Sequence, residues 1–101
     1  MNEEIKKLGE PSPGEYETLN RQTLEERLGL FIKDLLEHDV SRLVLLIYRH
    51  DVNEASFNRA LGEQGIEKQA QAIAGLVIDR ELQKIETRKR YKSSNRKNLP
   101  K

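Results

Sequence analysis

The sequence contains no cysteine and no tryptophan, and only three tyrosines and two phenylalanines among its 101 residues. The lack of cysteine excludes disulfides, thiolate metal sites and a cysteine nucleophile. The longest uninterrupted apolar run, residues 43–48, is far shorter than the roughly 20 residues that cross a bilayer. The N-terminus also lacks the apolar stretch of a secretory signal. These absences predict a soluble, cytoplasmic protein.

The length and the charge pattern suggest one acidic domain with a basic tail. Hydrophobic residues make up 36% of the chain and charged residues 35%, and the formal net charge is +1. A chain of this length has room for one core. Residues 1–19 and residues 20–86 each carry a net charge of −3, whereas residues 87–101 hold seven Lys or Arg and no acid. We expect a folded middle and disordered ends.

A first helix is predicted over residues 24–37. Its apolar residues fall on one face at helical spacing. These are Leu24, Leu28, Phe31, Ile32, Leu35 and Leu36. Either Asn20 or Thr23 can cap its start. Gly29 interrupts the helix at a cost of about 1 kcal/mol relative to alanine, which predicts a close backbone approach.

Residues 43–48 are apolar on every side, which is typical of a buried helix or a buried strand. Their leucine content favours a helix, capped by Asp39 or Ser41. One continuous helix over residues 24–50 is the alternative. It would place Asp39 unpaired on the apolar stripe, and a break is therefore preferred.

Two more helices follow. A short one starts after Asn53 or Asp51 and ends at Leu61-Gly62. The last one opens near Gly65 and runs to about Arg88, with apolar residues at helical spacings throughout. It is roughly 35 Å long, against roughly 21 Å for the first helix, and is expected to overhang it.

These elements predict an all-α fold, a small bundle of three main helices and one short helix with flexible termini. Residues 1–18 form a flexible arm, residues 19–90 the helical domain, and residues 91–101 a disordered basic tail. The predicted core comprises Leu28, Phe31, Ile32, Leu35, Leu43, Ile47, Phe57, Ile73, Val77 and Ile78.

The sequence offers little material for catalysis or for a cofactor. His38-Asp39 and His50-Asp51 are the one cluster of metal-capable side chains, but twelve helical residues would hold them roughly 18 Å apart. The aspartates are better explained as helix caps. The turn at residues 62–65 lacks the lysine and the strand of a phosphate-binding loop. We predict a non-enzymatic protein without metal or cofactor.

A surplus of apolar helix surface favours contact with another protein, with a second copy as the leading candidate. The predicted interface residues are Leu82 and Ile85 on the overhang, Leu76, which points away from the main apolar stripe, and Leu45 and Tyr48 of the apolar run. Folding of the N-terminal arm back over these residues is the alternative.

Nucleic-acid binding is the second hypothesis for function. A basic stripe with one aromatic residue suits contact with phosphates and stacking on bases. It comprises Arg88, Lys89, Arg90, Tyr91 and Lys92. Residues 57–66 also loosely resemble a helix-turn-helix. The alternative is that cations gather at a helix C-terminus because the helix dipole favours them there.

Two stretches, residues 48–52 and residues 80–88, resemble segments of short uncharacterised bacterial proteins of about this length. The resemblance implies a bacterial cytoplasmic protein. It carries over no functional residue.

Overall fold

The computed structural model describes the backbone of residues 9–98 and the side chains of residues 9–92. Within that range the chain forms five helices and no strand. They are α1 (Glu15–Thr18), α2 (Arg21–His38), α3 (Val40–Arg49), α4 (Glu54–Leu61) and α5 (Ile66–Asn98). The predicted all-α bundle is confirmed, and the single turn α1 is an addition to it.

Side-chain caps fix where three of the helices begin. Asn20 caps α2, since its side chain accepts a hydrogen bond of 2.8 Å from the amide of Thr23. Asp39 caps α3 through the amide of Arg42, and Asn53 caps α4 through the amide of Ser56. Each cap satisfies an amide that has no partner within its own helix. Of the alternative starts, Asn20, Asp39 and Asn53 are therefore the ones used.

The apolar stripe is broken at Asp39, as predicted. This residue leaves the helical conformation, with φ −157° and ψ 77°, and lies between α2 and α3. Its amide still donates to the carbonyl of Leu35, while its carboxylate caps the next helix. A continuous helix over residues 24–50 is thus excluded, because Asp39 provides hydrogen-bond partners both for a carbonyl at the end of α2 and for an amide at the start of α3.

The core lies between α2 and α5, with α3 packed on α2, and with α4 and α1 packed on α5. Nine of the ten predicted core residues are buried, and Phe31 packs against the core half-buried. Gly29 marks no close approach, since a Cβ added there would meet nothing within 4 Å. Gly65 does have a conformational role, because its φ of 92° lies where side chains are disfavoured.

α5 extends further than the sequence predicted. Its 33 residues make a rod of about 50 Å, nearly the full 56 Å length of the molecule. The helix was expected to end near Arg88, and a disordered tail was predicted from residue 91. The helix instead continues to Asn98, because no glycine or proline interrupts it before Pro100. Residues 99–101, the end of that predicted tail, lie outside the described residues.

The N-terminal arm is also corrected where it is described. We call residues 9–19 the N-terminal segment. Its Tyr16 is only 3% exposed and belongs to the core cluster, so this part of the arm is packed. Pro11, Pro13 and Gly14 led to the prediction of a loose arm because they rule out a long helix. They do not prevent a single helical turn, α1, from packing on α5. Residues 1–8 of the predicted arm lie outside the described range.

Candidate functional site

α3 has one covered side and one open side. Leu43, Leu46 and Ile47 are buried against the rest of the bundle. Four apolar side chains on the other side are exposed, by 55% at Val40, 45% at Val44, 67% at Leu45 and 81% at Tyr48. Spacings of four place Val40, Val44 and Tyr48 in one row, with Leu45 beside it. We call these four residues the α3 outer stripe.

A shallow cleft of about 220 Å³ adjoins the α3 outer stripe. Phe31 and Leu35 of α2 line it, and so does Leu45, which also belongs to the stripe. The remaining lining residues are Glu10, Arg42, Leu46 and Arg49. The apolar surface of the stripe therefore continues into a recess with charged side chains at its edge.

Two of the five predicted interface residues, Leu45 and Tyr48, lie on this open surface, while the three on α5 do not. Leu76 and Leu82 are half-buried and pack against the core, and Ile85 is only 6% exposed. The expectation that Ile85 is left uncovered on an overhang is wrong, because Ile85 belongs to the buried core cluster of the same chain. α1 does pack on α5, as the alternative of a folded-back arm predicts for that helix, while Leu45 and Tyr48 stay exposed.

The sequence reasoning missed Val40 and Val44. Their signal was present in the four-residue spacing from Val40 through Val44 to Tyr48. Residues 43–48 were expected to need cover on every side, whereas the structure covers only the side that carries Leu43, Leu46 and Ile47.

A polar cluster around His50 fastens the N-terminal segment to the bundle. The His50 ring is nearly buried, and its Nδ1 lies 2.7 Å from an oxygen of Glu81 while its Nε2 lies 3.3 Å from an oxygen of Glu10. Arg49 also pairs with Glu10. The Tyr16 ring meets the His50 ring edge to face, with the centroids 6.2 Å apart. His50 thus bridges the N-terminal segment and α5.

The charges of this cluster shift the pKa values of its members. Burial raises the pKa of Glu81, but hydrogen bonds from His50 and Lys84 outweigh it and leave the pKa below its usual value. Burial also raises the pKa of the Tyr16 hydroxyl, and the negative charges of Glu10 and Glu81 add to that rise. The carboxylates of Glu10 and Glu81 therefore hold this cluster together.

A second ion pair, to α2, holds the same segment. Arg27 of α2 donates to Glu15 at 2.6 Å, and the amide of Ser12 donates to the same carboxylate at 2.9 Å. These two hydrogen bonds lower the pKa of Glu15 to about 2. Tyr16, which is buried in the core cluster, supplies the apolar part of the attachment.

The histidines occupy structural positions. Both ring nitrogens of His50 face carboxylates, and Nδ1 of His38 lies 3.1 Å from both the carbonyl and the carboxylate of Asp34. Across the described part of the chain, no group of three or more His, Cys, Asp or Glu side chains is arranged to hold a metal ion. The two His-Asp pairs do not come together, since Asp39 caps α3 and Asp51 occupies the turn after it with φ 57°.

The predicted nucleic-acid residues lie together at the C-terminal part of α5. All of them are exposed: Arg88, Lys89, Arg90, Tyr91 and Lys92. They follow Ile85, which is the last buried residue among the side chains described. This surface is separate from the α3 outer stripe in the sequence and in its chemistry.

Comparison of the chain with protein-family models, with curated proteins and with solved structures found no match. Among residues 9–98, no helix combines the length and the apolar character needed to cross a lipid bilayer.

Proposed function

We propose that this chain is a non-catalytic interaction domain that pairs with a second copy of itself through the α3 outer stripe. The observation that carries the proposal is the stripe of four apolar side chains, 45–81% exposed, on a helix whose other side carries the buried Leu43, Leu46 and Ile47. Single exposed apolar residues are ordinary, but a contiguous patch marks a contact surface. Tyr48, the most exposed of the four, is of a type enriched in interfaces.

The chemistry of the stripe supports a second copy as the occupant. Its four side chains carry no charge, so the same surface on two chains can meet without burying an unpaired ion. A two-fold axis near Val44 would set the two α3 helices side by side in opposite directions. Such an interface needs only one patch per chain and closes at the dimer. Opposed helix dipoles also favour this arrangement.

The size of the surface limits the affinity. A standard interface covers about 800 Å² on each partner. Four side chains on a helix of about 15 Å do not reach that area, but the adjoining cleft adds the exposed part of Phe31. We therefore propose a reversible dimer with a dissociation constant in the micromolar range rather than an obligate one.

Leu45→Glu tests the proposal, with Leu30→Glu as the matched control. Both leucines are exposed, by 67% and 49%, and lie in helices, but Leu30 is on α2 beside a different groove. An unpaired carboxylate at a dry contact costs several kcal/mol. Sedimentation velocity over a concentration series is expected to show a dimer for the wild type and for L30E, and a monomer for L45E.

A wild type that stays monomeric at high micromolar concentration would refute the proposal. Equal loss of the dimer in both variants would also refute it, because the effect would then come from added charge and not from the stripe. Circular dichroism of each variant checks that the helices are intact.

A further inference from the structure

The C-terminal part of α5 changes from a packed helix to a charged one. Up to Ile85 this helix has one buried side, and from Glu86 to Lys92 every side chain is exposed. We call residues 88–92 the basic end of α5. At 100° per residue, Arg88 and Lys92 lie on the same side of the helix as Val77 and Glu81. The side that packs on the core thus continues as a basic surface.

The positive charge of the basic end is largely uncompensated. Glu86 is the last acid in the sequence, and it pairs with Arg90 at 2.7 Å. Within the described part of the chain, Arg88, Lys89 and Lys92 form no ion pair. Farther back, Lys84 is held at 3.0 Å from Glu81 and at 3.4 Å from Asp51. Three cations therefore remain available for a ligand that brings negative charge.

The arrangement of these cations suits a chain of phosphates. Arg88 and Lys92 are one turn apart, which is a rise of about 6 Å along a straight rod. Arg96 and Lys97 follow in the sequence, again without an acid. Phosphate contacts from a row of Lys and Arg provide the sequence-independent part of nucleic-acid binding. Tyr91, 68% exposed between the cations, offers a ring on which a base can stack.

We propose that the basic end of α5 binds single-stranded nucleic acid, with Arg88 and Lys92 on consecutive phosphates and Tyr91 stacked on a base. A membrane surface fits less well, because helices that lie on membranes bury an apolar face. From residue 86 to residue 92 the helix offers only Thr87 and Tyr91 outside its charged residues. This binding does not depend on the α3 outer stripe.

The test is fluorescence anisotropy of a labelled single-stranded pyrimidine oligonucleotide with the full chain over a salt series. Each phosphate contact on a single strand contributes about 0.7 to the slope of log affinity against log salt. R88Q/K92Q is expected to lower that slope by about 1.4. The control R59Q/K68Q removes the same charge from exposed positions on α4 and the start of α5, and is expected to change it little.

Tyr91→Leu separates stacking from charge. Loss of a stacked base is expected to weaken binding to the single strand about five-fold or more while leaving the salt slope unchanged. The same oligonucleotide annealed into a duplex is expected to bind more weakly and to be insensitive to this substitution.

Three results would overturn the proposal. One is that the full chain does not bind the oligonucleotide, or binds it with an affinity that does not depend on salt concentration. Another is an equal effect of R88Q/K92Q and R59Q/K68Q. The third is binding to vesicles of phosphatidylcholine and phosphatidylserine without binding to the oligonucleotide. L45E is expected to bind the oligonucleotide as the wild type does, so failure of the dimer and failure of this site are distinguishable.

Discussion

Tyr16→Ala is expected to detach the N-terminal segment and destabilise the whole bundle. The Tyr16 side chain is 3% exposed and lies in one buried cluster with Ile85 of α5. Truncating a buried aromatic residue to alanine typically costs 3–5 kcal/mol. We expect about 3 kcal/mol here, because a segment that forms only a single helical turn can relax more than the middle of a core.

That loss is large for a domain of this size. A core of this kind rarely supplies more than about 3–5 kcal/mol, and each 1 kcal/mol shifts the melting temperature of a small domain by roughly 4–8 °C. Y16A is therefore expected to melt more than about 10 °C below the wild type. Urea denaturation followed by circular dichroism measures the free energy of unfolding, and limited proteolysis reports whether the segment is released.

Tyr16→Phe is the matched control. The Tyr16 hydroxyl is buried and has no hydrogen-bond partner in the structure. Removing it keeps the ring and eliminates an unsatisfied polar group, which costs about 1–3 kcal/mol when buried. Y16F is expected to be at least as stable as the wild type. Substitutions of surface residues usually change the free energy of unfolding by less than about 0.5 kcal/mol. A change that small in Y16A would contradict the packing of Tyr16 in the core.

Three further outcomes are expected. Gly29→Ala should raise the free energy of unfolding by about 0.5–1 kcal/mol, since a Cβ there meets open space, while Gly65→Ala should lower it because the φ of Gly65 is 92°. Urea titration measures both changes, and a lower free energy of unfolding in G29A would contradict the open space at Gly29. Asp39→Ala should cost about 1 kcal/mol through the lost cap, and a value near zero by the same titration contradicts the cap. The pKa values of Glu15 and Glu81 are lower in the folded protein than their ordinary value of 4.5. The two carboxylates therefore stabilise the fold fully above about pH 4.5, and this stabilisation is lost as the pH falls through their folded pKa values, of which that of Glu15 is about 2. Glu81→Gln should therefore flatten the loss of stability below pH 4.5 in acid titrations, and an unchanged acid profile would contradict the His50 cluster.

The helices and most of the core followed from local rules. Apolar spacing identified the buried faces, and the asparagine and aspartate residues at 20, 39 and 53 supplied the caps. Choosing between Asn20 and Thr23 was beyond sequence reasoning, since both satisfy the same rule and tertiary packing decides which amide is left open.

The errors came from non-local contacts. Glu10, His50 and Glu81 are separated by 40 and 31 residues, and no pattern in the sequence predicts that they meet. Without that contact, the N-terminal segment was predicted to be loose and Ile85 to be uncovered. The α3 outer stripe was only half identified for a related reason, because an apolar run does not show which of its sides the rest of the chain covers.

Isotope-filtered NMR on a mixture of labelled and unlabelled chains tests the α3 outer stripe as a self-contact most directly. We expect intermolecular NOEs between the Val40 methyl groups of one chain and the Tyr48 ring of the other, and we expect them to vanish in L45E. A concentrated sample without intermolecular NOEs at the stripe, or with NOEs only around Leu30, would contradict the account.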